Sequence, residues 1–274
     1  MNKPKVIGLF IDPQKDFTLP SGNLSVAGGM EDMQNIADFI NKHGNILDDI
    51  IVSLDSHQRV HIAHPIFWRT KQGNHPDPFT PISHEMVKKG EVVASNSAFQ
   101  KWSESYTESL EQNKRYILTI WNPHCIVGTD GWSFEDSVAQ SLYDWEEKFF
   151  ARATLVPKGN NHLTEHYSAF KADVEVPGDA STQANPVLIE ALKDLDGDKD
   201  QIVIGGEAFN FCVYNTLRDV MEYFGNEYAQ KFVILEDCTS SILLTPETQK
   251  LHDDAKKHLS DNGAKFTTSK DWSL

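Results

Sequence analysis

Val6-Ile-Gly-Leu-Phe-Ile-Asp-Pro13 is an unbroken apolar run that stops at Asp-Pro. Six consecutive apolar residues without polar alternation read as a strand buried on both faces, the pattern of a parallel sheet covered by helices. Comparable runs recur at residues 50–54, 116–120, 153–156, 201–204 and 232–235. Between them lie segments with apolar residues at helical spacing: 30–43, 137–145, 186–195, 212–224 and 245–259. Strands alternating with helices give right-handed βαβ units. The expected fold is α/β: an open, mainly parallel central sheet with helices on both faces.

One region breaks the alternation. Residues 60–114 carry Pro65, Pro76, Pro78 and Pro81 and no clear periodicity. A stretch this long inside a compact unit is functional or partly structured, and it reads as a lid or rim inserted into a single domain over residues 1–274. The chain's 274 residues, 39% of them apolar, suffice for one sizeable core and exclude coiled coil, collagen and general disorder. Forty acidic against 25 basic residues give a formal charge of −15, which argues against nucleic acid or an anionic membrane as partner. No apolar run approaches the ~20 residues of a membrane span, and residues 6–11 are too short for a signal peptide. Cys125, Cys212 and Cys238 form no CxxC and no disulfide framework, which fits a reducing, cytoplasmic setting.

In open α/β sheets, ligands bind beyond the carboxyl ends of the strands. The residues just after each apolar run are therefore the informative ones: Asp12, then Asp55 and His57, then Asn122 to Cys125, then Lys158, and finally Cys212 after a short glycine-led turn. An acid, a base, a thiol and a cluster of metal-ligand types share one rim. A cysteine opening a helix meets the positive end of the dipole, which favours the thiolate; a small buried hydrophobe is the equally weighted alternative. Asp55-Ser-His57 places two ligand types on one face of an extended segment. With a third ligand from His61, His64 or His124 it makes a His₂-carboxylate site suited to zinc, iron or manganese. His162-Leu-Thr-Glu-His166 matches an H-x-x-E-H metalloprotease pattern, but the segment offers too little helix to carry it. Asp194–Asp200 resembles a calcium loop only loosely and reads as a solvated turn.

Six segments in order resemble the isochorismatase-like cysteine hydrolases, and within them the nicotinamidase/pyrazinamidase branch. They are Phe10-Ile-Asp-Pro-Gln-Lys-Asp-Phe17, Leu54-Asp-Ser-His57, Trp121-Asn-Pro-His-Cys125, Pro157-Lys-Gly159, Tyr167-Ser-Ala-Phe170 and Gly206-Glu-Ala-Phe-Asn-Phe-Cys-Val213. The resemblance implies a catalytic Asp12, Lys158 and Cys212, with oxyanion contacts from the backbone N–H groups of Ala208 and Cys212. It implies substrate contacts from Phe17, Trp121, Tyr167 and Glu207, and a cis peptide between Glu207 and Ala208. It also implies one divalent ion, zinc ahead of iron or manganese, on Asp55, His57 and His124, with His61 and His64 left to the lid and no organic cofactor. The expected activity is hydrolysis of a small carboxamide, nicotinamide first, through a thioester, in a protein able to self-associate. N-carbamoyl, ureidoacrylate, maleamate and isochorismatase-type hydrolysis, or a silent binding protein on the same fold, are the alternatives. The chain departs from the family where Asp-Trp-His becomes Asp55-Ser-His57, where Glu207 replaces a small apolar residue, and in the length of chain between His57 and His124.

Overall fold

A computed structural model describes residues 3–113, 115–196 and 199–274. Its centre is a six-stranded sheet: β1 (Val6–Ile11), β2 (Asp49–Asp55), β3 (Thr154–Lys158), β4 (Gln201–Gly206), β5 (Phe232–Leu235) and β6 (Lys265–Thr267). Their spatial order is β6-β5-β4-β1-β2-β3, all neighbours parallel. The order reverses between β1 and β4, so the crevice expected to hold ligand opens at the carboxyl ends of those two strands.

Alternation along β1 divides the core. Val6 and Phe10 point to one face, where they meet Met33, Ile36, Phe39 and Ile40 of α1 (Gly29–His43) and Val138, Leu142 and Trp145 of α3 (Asp136–Phe149). Ile7, Leu9 and Ile11 point to the other, against Leu188 and Leu192 of α4 (Pro186–Leu192), Leu217 and Val220 of α5 (Tyr214–Phe224), and Ala255 and Leu259 of α6 (Pro246–Asp261). Both faces are covered, which is why the strand reads as continuously apolar. Pro157 is tolerated in β3 because β3 lies at the sheet edge.

Three sequence expectations change. The apolar run at residues 116–120 is not part of the central sheet; only Leu118–Thr119 is extended, pairing antiparallel with Pro81–Ile82. The edge strand β6 carries too few apolar residues to be read as one. The insertion contains a 13-residue helix, α2 (Gln100–Gln112). Its buried face includes Ser103 and Thr107 beside Tyr106 and Leu110, and both hydroxyls bond back to the preceding turn, to Phe99 O and Ser103 O. Small polar residues on the inner face erase the apolar period. Gly197 and Asp198, within the Asp194–Asp200 turn, lie outside the described residues. Among the described residues no helix is long and apolar enough to cross a membrane.

The closest approach of backbones is at the switch point. Gly206 has φ +114°, and a Cβ there would lie 1.9 Å from the carbonyl oxygen of Ile11. Glu207 N–H then donates to that same oxygen at 2.8 Å. Gly206→Ala should therefore cost about 3 kcal/mol or more of stability, combining backbone strain with a backbone clash; urea denaturation of the variant beside wild type measures it, and a loss under ~1 kcal/mol would contradict the packing described.

Candidate active site

Four strand ends deliver the polar side chains. Asp12 follows β1 with φ +46°, and its carboxylate accepts the Ser53 hydroxyl at 2.6 Å, while its own N–H donates to Ser53 Oγ at 3.0 Å. Lys158 ends β3 and is almost wholly buried. Its Nζ lies 2.9 Å from Asp12 Oδ2, 3.1 Å from Asp55 Oδ1, 2.9 Å from the His166 carbonyl and 3.6 Å from Cys212 Sγ. Cys212 sits in the π-type turn Phe209–Val213 that leads into α5, and the preceding Glu207–Ala208 peptide is cis.

The thiol does not behave as a helix-start cysteine in isolation would. Burial pushes Cys212 well above the usual thiol value; Lys158 pulls it back, and the Asp12 and Asp55 charges push it further up. The resting side chain is a thiol, hydrogen-bonded to Asp12. Burial also raises Asp12, against the pull of Lys158 and with the push of Asp55. Asp55 goes the other way: burial raises it, but His57 and Lys158 outweigh this and hold it well below the carboxylate range.

Asp55 is also where the imidazoles meet. His57 Nε2 lies 2.9 Å and His124 Nε2 3.2 Å from Asp55 Oδ2. His124 Nδ1 pairs with the Asn122 carbonyl at 2.7 Å, which leaves Nε2 as the free donor atom. The ligand atoms of Asp55, His57 and His124 lie within 4.8 Å of one another, and all three residues are buried. Two ring nitrogens aimed at one carboxylate oxygen form a donor set of the kind that zinc, iron or manganese takes. Gly159 packs against this group, because a Cβ there would lie 2.8 Å from Asp55 Oδ1 and 3.0 Å from His57. His61 and His64 pack against His57, tilted and edge-on, with ring centroids 4.2 and 5.3 Å away. His61 spends both nitrogens, on the Thr164 carbonyl and on Ala63 N–H, so it has no lone pair to offer. His64 is pushed down to about 3, mainly by burial.

A cleft of about 350 Å³, counting its open mouth, lies over Cys212. Phe17, Trp121, Tyr167 and Phe211 wall it, with Asp55, His124, Glu165 and Ala208 among its polar and backbone lining. Trp121 Nε1 donates to Tyr167 Oη at 2.8 Å, and Phe211 meets both rings edge-on at 5.5 Å. None of these lining residues comes from 60–114. That segment braces the walls from behind: Tyr106 Oη accepts Glu165 N–H, Trp102 Nε1 donates to Leu163 O, and Ala63 O accepts Trp121 N–H.

Glu207, expected at the substrate, is elsewhere. Its carboxyl turns away from the cleft and packs against Asp32 and Ser240, because the backbone on either side is fixed to Ile11 and Ser240. Glu165 and Gln14 are among the residues missed by sequence reasoning. Glu165 is buried with Oε1 3.9 Å from His57 Nε2 and Oε2 unpartnered; its only signal lay in the set-aside H-x-x-E-H pattern. Gln14 holds β2's end: its Nε2 donates to the carbonyls of Asp55 and Trp132, and its Oε1 accepts Asp55 N–H, all at 2.7–2.8 Å.

No family model matches the chain. The nicotinamidase of Schizosaccharomyces pombe is 32% identical over 101 residues, which is 37% of either chain. The nicotinamidase of Saccharomyces cerevisiae is 24% identical over 251 residues, 91% of this chain and 95% of that one. The chain is thus similar in sequence to two curated nicotinamidases. Among solved structures, yeast nicotinamidase bound to the inhibitor nicotinaldehyde superposes with a TM-score of 0.64 at 19% identity, covering 96% of this chain and 99% of that one. The pyrazinamidase of Pyrococcus horikoshii in complex with zinc gives 0.53 at 18% identity, covering 97% and 99%. These likenesses establish the isochorismatase-like fold of that group.

The Gln14 anchor gives a test of the geometry itself. Gln14→Leu strands three backbone groups, the two of Asp55 buried and that of Trp132 partly so, and should lower stability by about 3 kcal/mol. Thermal and urea unfolding read the change, and a near-neutral effect would mean that Gln14 does not position Asp55.

Proposed function

We propose that the chain is an amidohydrolase that cleaves nicotinamide to nicotinate and ammonia, one cysteine-hydrolase domain over residues 1–274 with 60–114 as an insertion. The observation that carries this reading is the contact of Lys158 Nζ with both Asp12 and Cys212 on the floor of an aromatic-walled cleft. The two nicotinamidase relatives support the substrate, and the aromatic walls of the cleft suit a flat ring.

The ring enters between Phe17 and Trp121. Asp12 takes the Cys212 proton as Sγ bonds to the amide carbon, and Lys158 balances the charge held between the two. The carbonyl oxygen becomes an oxyanion facing the N–H groups of Ala208 and Cys212. Asp12 then gives its proton to the departing nitrogen, and ammonia leaves a thioester on Cys212. Water, deprotonated by Asp12, attacks the thioester carbon; the acid departs and the thiol is restored. Asp55, His57 and His124 would hold a divalent ion, which supplies a Lewis acid for the ring nitrogen of the substrate. His124, fixed by Asn122, and His57, packed on His61 and His64, keep that donor set in place before substrate arrives.

Purified protein should release ammonia from nicotinamide, and Cys212→Ala should lower kcat by ~10⁴-fold or more. Appreciable turnover by Cys212→Ala would refute the covalent mechanism. Elemental analysis should find about one divalent ion per chain, and His124→Ala should bind it at least ~100-fold more weakly. In that variant KM should rise more than kcat falls, because the ion positions the ring and does not make the nucleophile. A fully active, metal-free wild type would remove the metal from the proposal.

A further inference from the structure

The nucleophile turn is tied to helix α1 by two carboxyl groups that face each other inside the protein. Glu207 is fully buried and Asp32 nearly so. Oε1 of Glu207 and Oδ2 of Asp32 are buried with no conventional donor in reach. Both border the glycine pair that opens the helix: a Cβ on Gly28 would meet Asp32 Oδ2 at 3.6 Å, and one on Gly29 would meet Glu207 Oε1 at 3.4 Å. The two side chains hydrogen-bond to each other. Ser240 is the other polar neighbour, its N–H 3.3 Å from Glu207 Oε2 and its hydroxyl bonded to Asp32.

The charges that bear most on the pair are acidic: Glu31 on the same helix, Asp237 in the turn after β5, and each carboxyl on the other. Two buried carboxylates in contact cannot both be ionised, and one proton between them turns repulsion into a strong hydrogen bond. Asp32 lies in the first turn of α1, where free N–H groups and the dipole favour its negative form. Glu207 is the more deeply buried, and its carboxyl is held well above the usual range by that burial and then by Asp32.

We propose that Glu207 carries a proton shared with the Asp32 carboxylate, and that this bond is a positioning device that sets the turn from Ala208 to Cys212 against α1. Glu207 is pinned through its main chain to Ile11, the residue before Asp12, so the same residue sets the spacing between the acid and the thiol. Neither carboxyl touches the substrate cleft. The kinetic consequence rests on the amidase reading above; the protonation of the pair does not.

Two measurements test it. In the first, stability is followed against pH for wild type and Glu207→Gln, whose amide donates to Asp32 without titrating. Native Glu207 keeps its proton while the unfolded chain loses it above pH ~4.3, so wild-type stability should fall with rising pH relative to the variant, by about tenfold in the folding constant per pH unit, until the pair itself titrates. Parallel curves between pH 5 and 7 would overturn the shared proton. In the second, Glu207→Leu, which leaves Asp32 buried without its donor, should lower kcat for nicotinamide about tenfold or more, and Glu207→Gln should restore most of it. A glutamine variant no better than leucine would overturn the positioning role. If wild type releases no ammonia, the amidase reading fails, and the pH–stability comparison still decides the pair.

Discussion

The site depends on one buried carboxylate. Asp55 offers Oδ1 to Lys158 and Oδ2 to His57 and His124, so the ammonium that contacts the thiol and the imidazoles that can hold a metal are oriented by the two oxygens of a single residue. A buried charge of this kind is costly unless it is multiply partnered. Here the partners come from β3, from the loop after β2 and from the loop at Trp121–Cys125, which places three separate segments under one constraint. The surroundings reinforce it. Gln14 fixes the backbone on both sides of Asp55, and Asp16 holds the neighbouring loop by accepting Cys125 N–H at 2.7 Å.

Ser56, between the two ligand types Asp55 and His57, is held by the same kind of bond. Trp132 reaches in from a different loop and donates its indole N–H to Ser56 Oγ at 3.0 Å, while its carbonyl accepts from Gln14. The metal-ligand types on either side of Ser56 meet at one carboxylate oxygen. The long chain between His57 and His124 is likewise absorbed behind the site, as a bracket for Trp121 and Glu165.

What could be read in the sequence was what β1, β2, β3, β4 and β5 announce by themselves: continuous apolar strands, each followed by a short run of reactive side chains. Asp12, Asp55, Lys158 and Cys212 were legible because the sheet topology forces strand ends to one rim. Glu165, Gln14 and Asp16 were not. Their positions depend on loops whose course is set by tertiary hydrogen bonds, such as Glu165 N–H to Tyr106 Oη, and no local pattern encodes such a bond. The helix Gln100–Gln112 was hidden for a different reason, since Ser103 and Thr107 bury themselves by bonding to their own backbone. Glu207 was misplaced because proximity in sequence to Cys212 suggests proximity to substrate, whereas the backbone bond from Glu207 to Ile11 turns the side chain to the opposite side of the turn.

The balance of charge explains why the thiol can rest neutral without being inert. Asp12, Asp55 and Lys158 together carry one excess negative charge when both acids are ionised, and a thiolate would add a second on a buried side chain. Burial first, and then the charges of Asp12 and Asp55 against the pull of Lys158, keep the proton on Cys212. Burial also raises Asp12, a base that at its ordinary value would hold a thiol proton too weakly to accept it. Asp55 is exempt because its two oxygens are committed to cations or imidazoles. The two acids beside Lys158 thus go in opposite directions, Asp12 up through burial and Asp55 down through His57 and Lys158, the pattern that separates a proton carrier from a fixed charge. Transfer from Cys212 to Asp12 then moves negative charge from one side of Lys158 to the other, over a few ångströms, without creating any new charge in the cavity.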